Sequence, residues 1–119
     1  MNRVKIDPVW LMSIQKPARY IGGEWNSIVK NHDFTDVRVA LAFPDVYEVA
    51  MSHLGLKIIY SVINKRKDAL AERVYAPWVD MEKMMRQKKI PLFSLENHCP
   101  VRDFDVLGFT MPYEMSYTN

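Results

Sequence analysis

Val37-Arg38-Val39-Ala40-Leu41-Ala42-Phe43, closed at once by Pro44-Asp45, is the stretch that decides the fold. It is a short run rich in apolar and β-branched residues with a hard stop. Its nearly continuous apolar character fits a strand buried on both faces, as in a parallel sheet. Pro44 to Ser52 reads as a loop, and His53 to Lys67 as an apolar helix. Within that helix Leu54, Ile58 and Val62 recur at four-residue steps, with Leu56, Ile59 and Ile63 in the neighbouring row. A face that wide suits packing on a sheet. Ser52 is the expected N-cap.

Further along the chain, Arg73-Val74-Tyr75-Ala76 reads as a second strand stopped by Pro77. Asp80 can cap a short helix in which Met81, Met84 and Met85 share one side, as core filler, and Glu82 and Arg86 form a four-residue ion-pair spacing outside. Pro91 to Leu95 predicts a short edge strand, and Asp105 to Thr110 another buried strand. Strands alternating with helices long enough to cross over predict an α/β fold, a mostly parallel sheet with helices on its faces, Rossmann-like or flavodoxin-like. Residues 1–36 form a lead-in: a short helix at Val9–Met12 behind Pro8, a break at Lys16-Pro17, and a turn flanked by aromatics from Tyr20 to Asn26. The α/β domain is expected over 37–119. A covering helix should follow Thr110. Met111 to Asn119 reaches only its beginning, so the expectation is a domain truncated at its C-terminal side.

The 119 residues suffice for one domain, and 49% hydrophobic content supplies its core. Sixteen basic and 14 acidic residues leave a formal charge of +2, too little for a nucleic-acid footprint. The basic runs Lys65–Lys67 and Arg86–Lys89 each close an expected helix, where cations suit the dipole. Cys99 stands alone, which excludes an internal disulfide and points to a reducing compartment. With no long apolar run at the N-terminus, a cytoplasmic location without membrane contact is expected.

Parallel α/β sheets hold ligands beyond the carboxyl ends of their strands. That rule selects two loops. One carries Asp45, Tyr47, Glu48, Ser52 and His53; the other carries Tyr113 and Glu114. Taken singly, each residue has a plainer role ahead of the functional one: Asp45 and Ser52 can satisfy loop and helix-start amides, and His53 can decorate the first helical turn. Other chemistry is poorly supplied. Gly55 stands alone and already within the helix, so there is no phosphate cradle. His32, His53 and His98 are scattered, and one cysteine cannot hold an iron–sulfur cluster. His98 and Cys99 are adjacent, so on an extended chain they point to opposite sides.

Three stretches together carry a family resemblance: Lys16 to Asn26, Ala42 to Leu56, and Phe104 to Thr110 with its tail through Asn119. They resemble the N-terminal region of a bacterial radical-SAM family whose members carry a cobalamin-binding-like domain ahead of the radical-SAM barrel. The resemblance implies a Rossmann-like accessory domain, followed by a barrel that binds a [4Fe–4S] cluster and S-adenosylmethionine through CxxxCxxC. That motif is absent from this sequence, so cluster and S-adenosylmethionine belong to the parent protein and not to this segment. The expected partner is the barrel of the same parent chain, with self-association of the fragment where the barrel would pack. The resemblance also points to cobalamin, whose base-off site uses a DxHxxG loop. Here that loop begins Asp45-Val46-Tyr47, with Tyr47 in the histidine position and Ala50 in the glycine position, while His53 comes too late. Cobalamin would bind without that lower ligand, against the carboxyl edge of the sheet. Two functions follow: a cofactor- or substrate-binding accessory surface, or a cofactor-free module that docks on and orients the barrel.

Overall fold

A computed structural model describes residues 2–119. The chain opens with α1 (Pro8–Met12), capped by Asp7, whose carboxylate accepts from the Val9 amide. α2 (Ala18–Ile21) follows. The strand β1 (Val37–Phe43) has the predicted bounds. After it come α3 (Tyr47–Ala50), α4 (Leu54–Asn64), β2 (Ala69–Tyr75), α5 (Val79–Lys88) and β3 (Val106–Phe109). The sheet order is β2-β1-β3 and every pairing is parallel. The expected α/β architecture is therefore present. Because β1 lies between its neighbours, the connection from β2 to β3 crosses over it.

Period-2 alternation on β1 separates two cores. Leu41 and Phe43 join Ala71 beneath Leu56 and Tyr60 of α4. Ala40 and Ala42 face the other way, with Val74, Val101 and Phe104. A third core lies away from the sheet, where Trp10, Ile14 and Tyr20 of the lead-in pack with Met81, Met84 and Met85 of α5 and with Phe93. The three methionines share one side as expected. The lead-in builds that core, and α5 leans toward it.

Several local expectations are corrected. Tyr20 lies in α2 and not in a turn; Gly22, at φ +67°, ends that helix. The α4 row that faces the sheet is Leu56, Tyr60 and Asn64, whereas Leu54, Ile58 and Val62 are more than half exposed. Asn64 wins its buried place by hydrogen bonding, since its amide donates to the Ala71 carbonyl and its oxygen accepts from the Ala71 N–H. The α4 cap is His53, whose Nδ1 accepts from the Leu56 amide at 3.1 Å; Ser52 instead donates to the Val49 carbonyl. Asp80 lies inside α5, behind the capping position Trp78, and accepts from the Gln15 amide. Residues Pro91–Leu95 make only a single antiparallel bridge, Phe93 with Pro100. β2 starts at Ala69, four residues before the expected Arg73.

The outer edge of β2 is closed. The Leu95 amide donates to the Arg73 carbonyl, and Glu96 accepts from the Arg73 amide. Lys30 donates to the carbonyls of Asn64, Arg66 and Ala69, joining α4 to the start of the strand. Such cover protects an edge that would otherwise seek another strand. Glu72, 1% exposed, anchors a buried network in which Ser94, the Asn97 amide and side chain, and His32 surround its carboxylate.

Candidate functional site at the carboxyl edge of the sheet

Parallel pairing places the ends of all three strands on one edge. The Ala76 amide donates to the Asp45 carbonyl at 2.9 Å, joining the segments after β2 and β1. The Thr110 amide donates to the Ala42 carbonyl at 3.0 Å, bringing in the end of β3. Beside this edge α5 stands off from the sheet and leaves a groove of about 660 Å³. Ala42, Val74 and Phe109 line it from the sheet; Val79, Met85, Arg86 and Lys89 line it from α5. Trp78 and Pro77 bound it at the start of the helix, and Asp45 and Asn119 at the loops. The lining is mainly apolar with a few polar groups, and the volume lies in the range of small-molecule sites.

A smaller niche of about 30 Å³ adjoins the groove, sharing Tyr75, Ala76, Pro77, Met85 and Leu92 with it. Arg19, Tyr20 and Tyr47 line it as well, over a floor of Met81, Phe93 and Leu95. Burial and the neighbouring Glu24 push the Tyr47 hydroxyl up to about 12, so it stays protonated and donates to Glu24. The Tyr47 and Tyr75 rings meet edge to face at 5.7 Å, and burial also raises Tyr75. Behind them Arg73 bridges Glu96 and Glu24, both at 2.6 Å. Burial opposes the Arg73 charge, but the two carboxylates outweigh it and hold the guanidinium protonated.

The candidate residues from the two loops separate on this geometry. Asp45 lines the groove, and its side chain accepts from the Val46 amide at 2.7 Å. Tyr47 lines the niche. Glu48 pairs with Arg19 at 2.8 Å and Lys16 at 3.5 Å, and the Arg19 hydrogen bond holds its carboxyl below the usual range. Ser52 and His53 serve the α3–α4 junction, with the His53 ring edge-on to Phe43 at 5.2 Å. Tyr113 and Glu114 lie at the turn Glu114–Ser116 and line neither cavity; Asn119, from the same tail, reaches the groove. Sequence reasoning missed Arg19 and Trp78. It assigned Arg86 to closing a helix and pairing with Glu82, and Lys89 to closing the helix, and placed neither at a site.

A family model described as Radical SAM proteins, N-terminal, matches residues 55–119. The chain belongs to this family. The match runs from α4 through β3 to the tail, while the lead-in and the loop after β1 lie outside it. No curated protein and no solved structure matches the chain. A radical SAM N-terminal domain implies a radical-SAM catalytic domain in its parent chain. Among the described residues no helix is long and apolar enough to cross a membrane.

The donors at the groove do not fit a cobalt ligand or an iron–sulfur cluster. No histidine or cysteine lines the groove, Tyr47 is engaged with Glu24, and His53 caps α4, so no side chain there is placed to ligate cobalt. The single thiol, Cys99, is buried and raised to about 11, which is unsuited to a cluster. No group of three or more His, Cys, Asp or Glu among the described residues is arranged to hold a metal ion.

Proposed function

We propose that this chain is the N-terminal accessory domain of a radical SAM enzyme and offers a binding surface for a cofactor or substrate at the carboxyl edge of its sheet. One observation carries the reading: the 660 Å³ groove lies where the ends of the three parallel strands meet, bounded by α5. Its apolar lining suits the body of an organic molecule. A corrinoid held there would lack a protein ligand to cobalt, so the groove is read as a surface that shapes and orients its occupant. The test is to titrate the 119-residue chain with the neutral probe 2-naphthamide and map backbone amide shifts. Shifts clustered on Phe43–Val46 and Ala76–Val79 support the reading; shifts confined elsewhere contradict it.

A second reading is a cofactor-free module that docks on the catalytic barrel and orients it. It is favoured by Leu54, Ile58 and Val62, which line one exposed side of α4, with Ile59 half exposed beside them. In the same titration this reading places the shifts on α4.

A further inference from the structure

We propose that the open edge of β3 pairs antiparallel with β3 of a second copy of this chain, joining the two three-stranded sheets into one. This contact goes beyond the groove and does not depend on the groove being a binding surface.

The two edges of the sheet differ. β2 is closed by Leu95, Glu96 and Lys30. β3 has β1 as its only strand neighbour among the described residues. The Thr110 amide donates to the Ala42 carbonyl. Bonding direction alternates along a strand, so within β3 Val106 and Gly108 also turn their backbone groups to β1. Those of Leu107 and Phe109 turn to the open side. Natural edges are commonly blunted by charge or proline. Val106-Leu107-Gly108-Phe109-Thr110 carries neither, and the adjacent acid, Asp105, is held by Arg38 at 2.9 Å. Leu107 is 43% exposed and Phe109 61%.

A second copy is favoured because the strand is complementary to itself. A two-fold axis through Gly108 sets Leu107 opposite Phe109 of the other copy. These are the residues with outward-facing backbone groups, so each pair exchanges both hydrogen bonds. Gly108 then faces Gly108 in the non-bonded pairing, where Cα atoms approach to about 4.5 Å and side chains crowd most. Leucine against phenylalanine makes a favourable cross-strand pair, on the face shared with Ala40 and Ala42. On the opposite face Val106 meets Thr110, both suited to strands. Each copy has a single open edge, which the contact consumes, so association closes at the dimer.

The test combines sedimentation velocity with cysteine cross-linking. The unmodified chain should shift from monomer toward dimer over about a hundredfold rise in concentration, and no further. Leu107→Lys should abolish the shift, whereas Ile58→Glu on α4 should leave it intact. In a Cys99→Ser background, Gly108→Cys should form a disulfide between copies in a glutathione buffer, since about 4.5 Å between Cα atoms permits the bond. A Cβ at Gly108 meets only Leu41 Cδ2, at 3.7 Å, and the Ala40 carbonyl oxygen, at 4.0 Å, so the variant fits the fold. Val106→Cys places the two thiols on residues about 14 Å apart and should cross-link at least about tenfold less. A chain that stays monomeric throughout, or that grows beyond the dimer, overturns the proposal. So does equal cross-linking at the two positions, or a dimer lost with Ile58→Glu and kept with Leu107→Lys.

Discussion

Asn119 donates its side-chain amide to the Pro44 carbonyl at 2.6 Å, tying the C-terminal turn to the loop that follows β1. Ten residues before Asn119 the chain leaves β3 at Phe109, beside Ala42 near the end of β1. Both segments therefore border one edge, and the groove owes its position to the parallel order of the strands.

The Glu72 network should be the most sensitive point of the fold. Glu72→Ala would leave His32, Ser94 and two donors of Asn97 without their buried acceptor. Removing one partner from such a cluster costs about 3–5 kcal/mol, a large share of a domain's stability. Urea denaturation should show that loss, with Glu72→Gln losing less. A change within about 0.5 kcal/mol for the alanine variant, the range of an ordinary surface substitution, would contradict the structural role assigned to the network.

Gly22 and Gly23 should respond differently to alanine. Both have positive φ, but a Cβ on Gly22 would sit 2.3 Å from the Leu95 carbonyl oxygen, whereas one on Gly23 meets nothing within 4 Å. Gly23→Ala should cost about 1–2 kcal/mol from backbone conformation alone. Gly22→Ala must also displace backbone and should cost clearly more. Thermal melts of the two variants check the order, and equal losses would mean that the lead-in is not seated on Leu95.

Alkaline stability should fall in a defined window. Burial raises Cys99 from its ordinary 9.0 to about 11. Between those values the unfolded thiol has released a proton that the native thiol still holds, so native stability is full below pH 9 and declines toward pH 11. The decline is on the order of 2–3 kcal/mol. Tyr47, raised to about 12, extends the trend upward from pH 10. Cys99→Ala should flatten the dependence of the urea midpoint between pH 9 and 11. An unchanged slope would show that the thiol is not protected.

The exposed side of α4 should tolerate charge. Ile58→Glu and Val62→Lys replace residues that are 54% and 58% exposed, so each should change stability by no more than about 0.5 kcal/mol. If that side docks on another surface, the same variants should reduce self-association in sedimentation velocity. A loss of several kcal/mol would place these residues in a core instead.

β1 was legible because a continuous apolar run ended at Pro44 leaves few alternatives. β2 was half hidden: Ala69 to Glu72 carries alanines and an acid, and its burial depends on His32, Ser94 and Asn97, which periodicity cannot see. The inner row of α4 was misread for a related reason. Hydrophobicity ranks Ile58 and Val62 above Asn64, yet Asn64 alone can pair with both polar groups of Ala71. For the site, the strand-end rule found Asp45 and Tyr47 because both sit just past β1. Arg19 and Trp78 escaped it, since one comes from the lead-in and the other from the start of α5, and only tertiary packing brings them together.

A nitroxide on Val49→Cys, in a Cys99→Ser background, tests most directly whether the three strands end on the same edge. Relaxation enhancement should broaden the amides of Ala76, Phe109 and Thr110, and spare Asp36, Asp68 and Asp105 about 20 Å away across the sheet. Broadening at Asp105 with Thr110 left sharp would reverse the direction of β3 and dissolve the shared edge on which the groove depends.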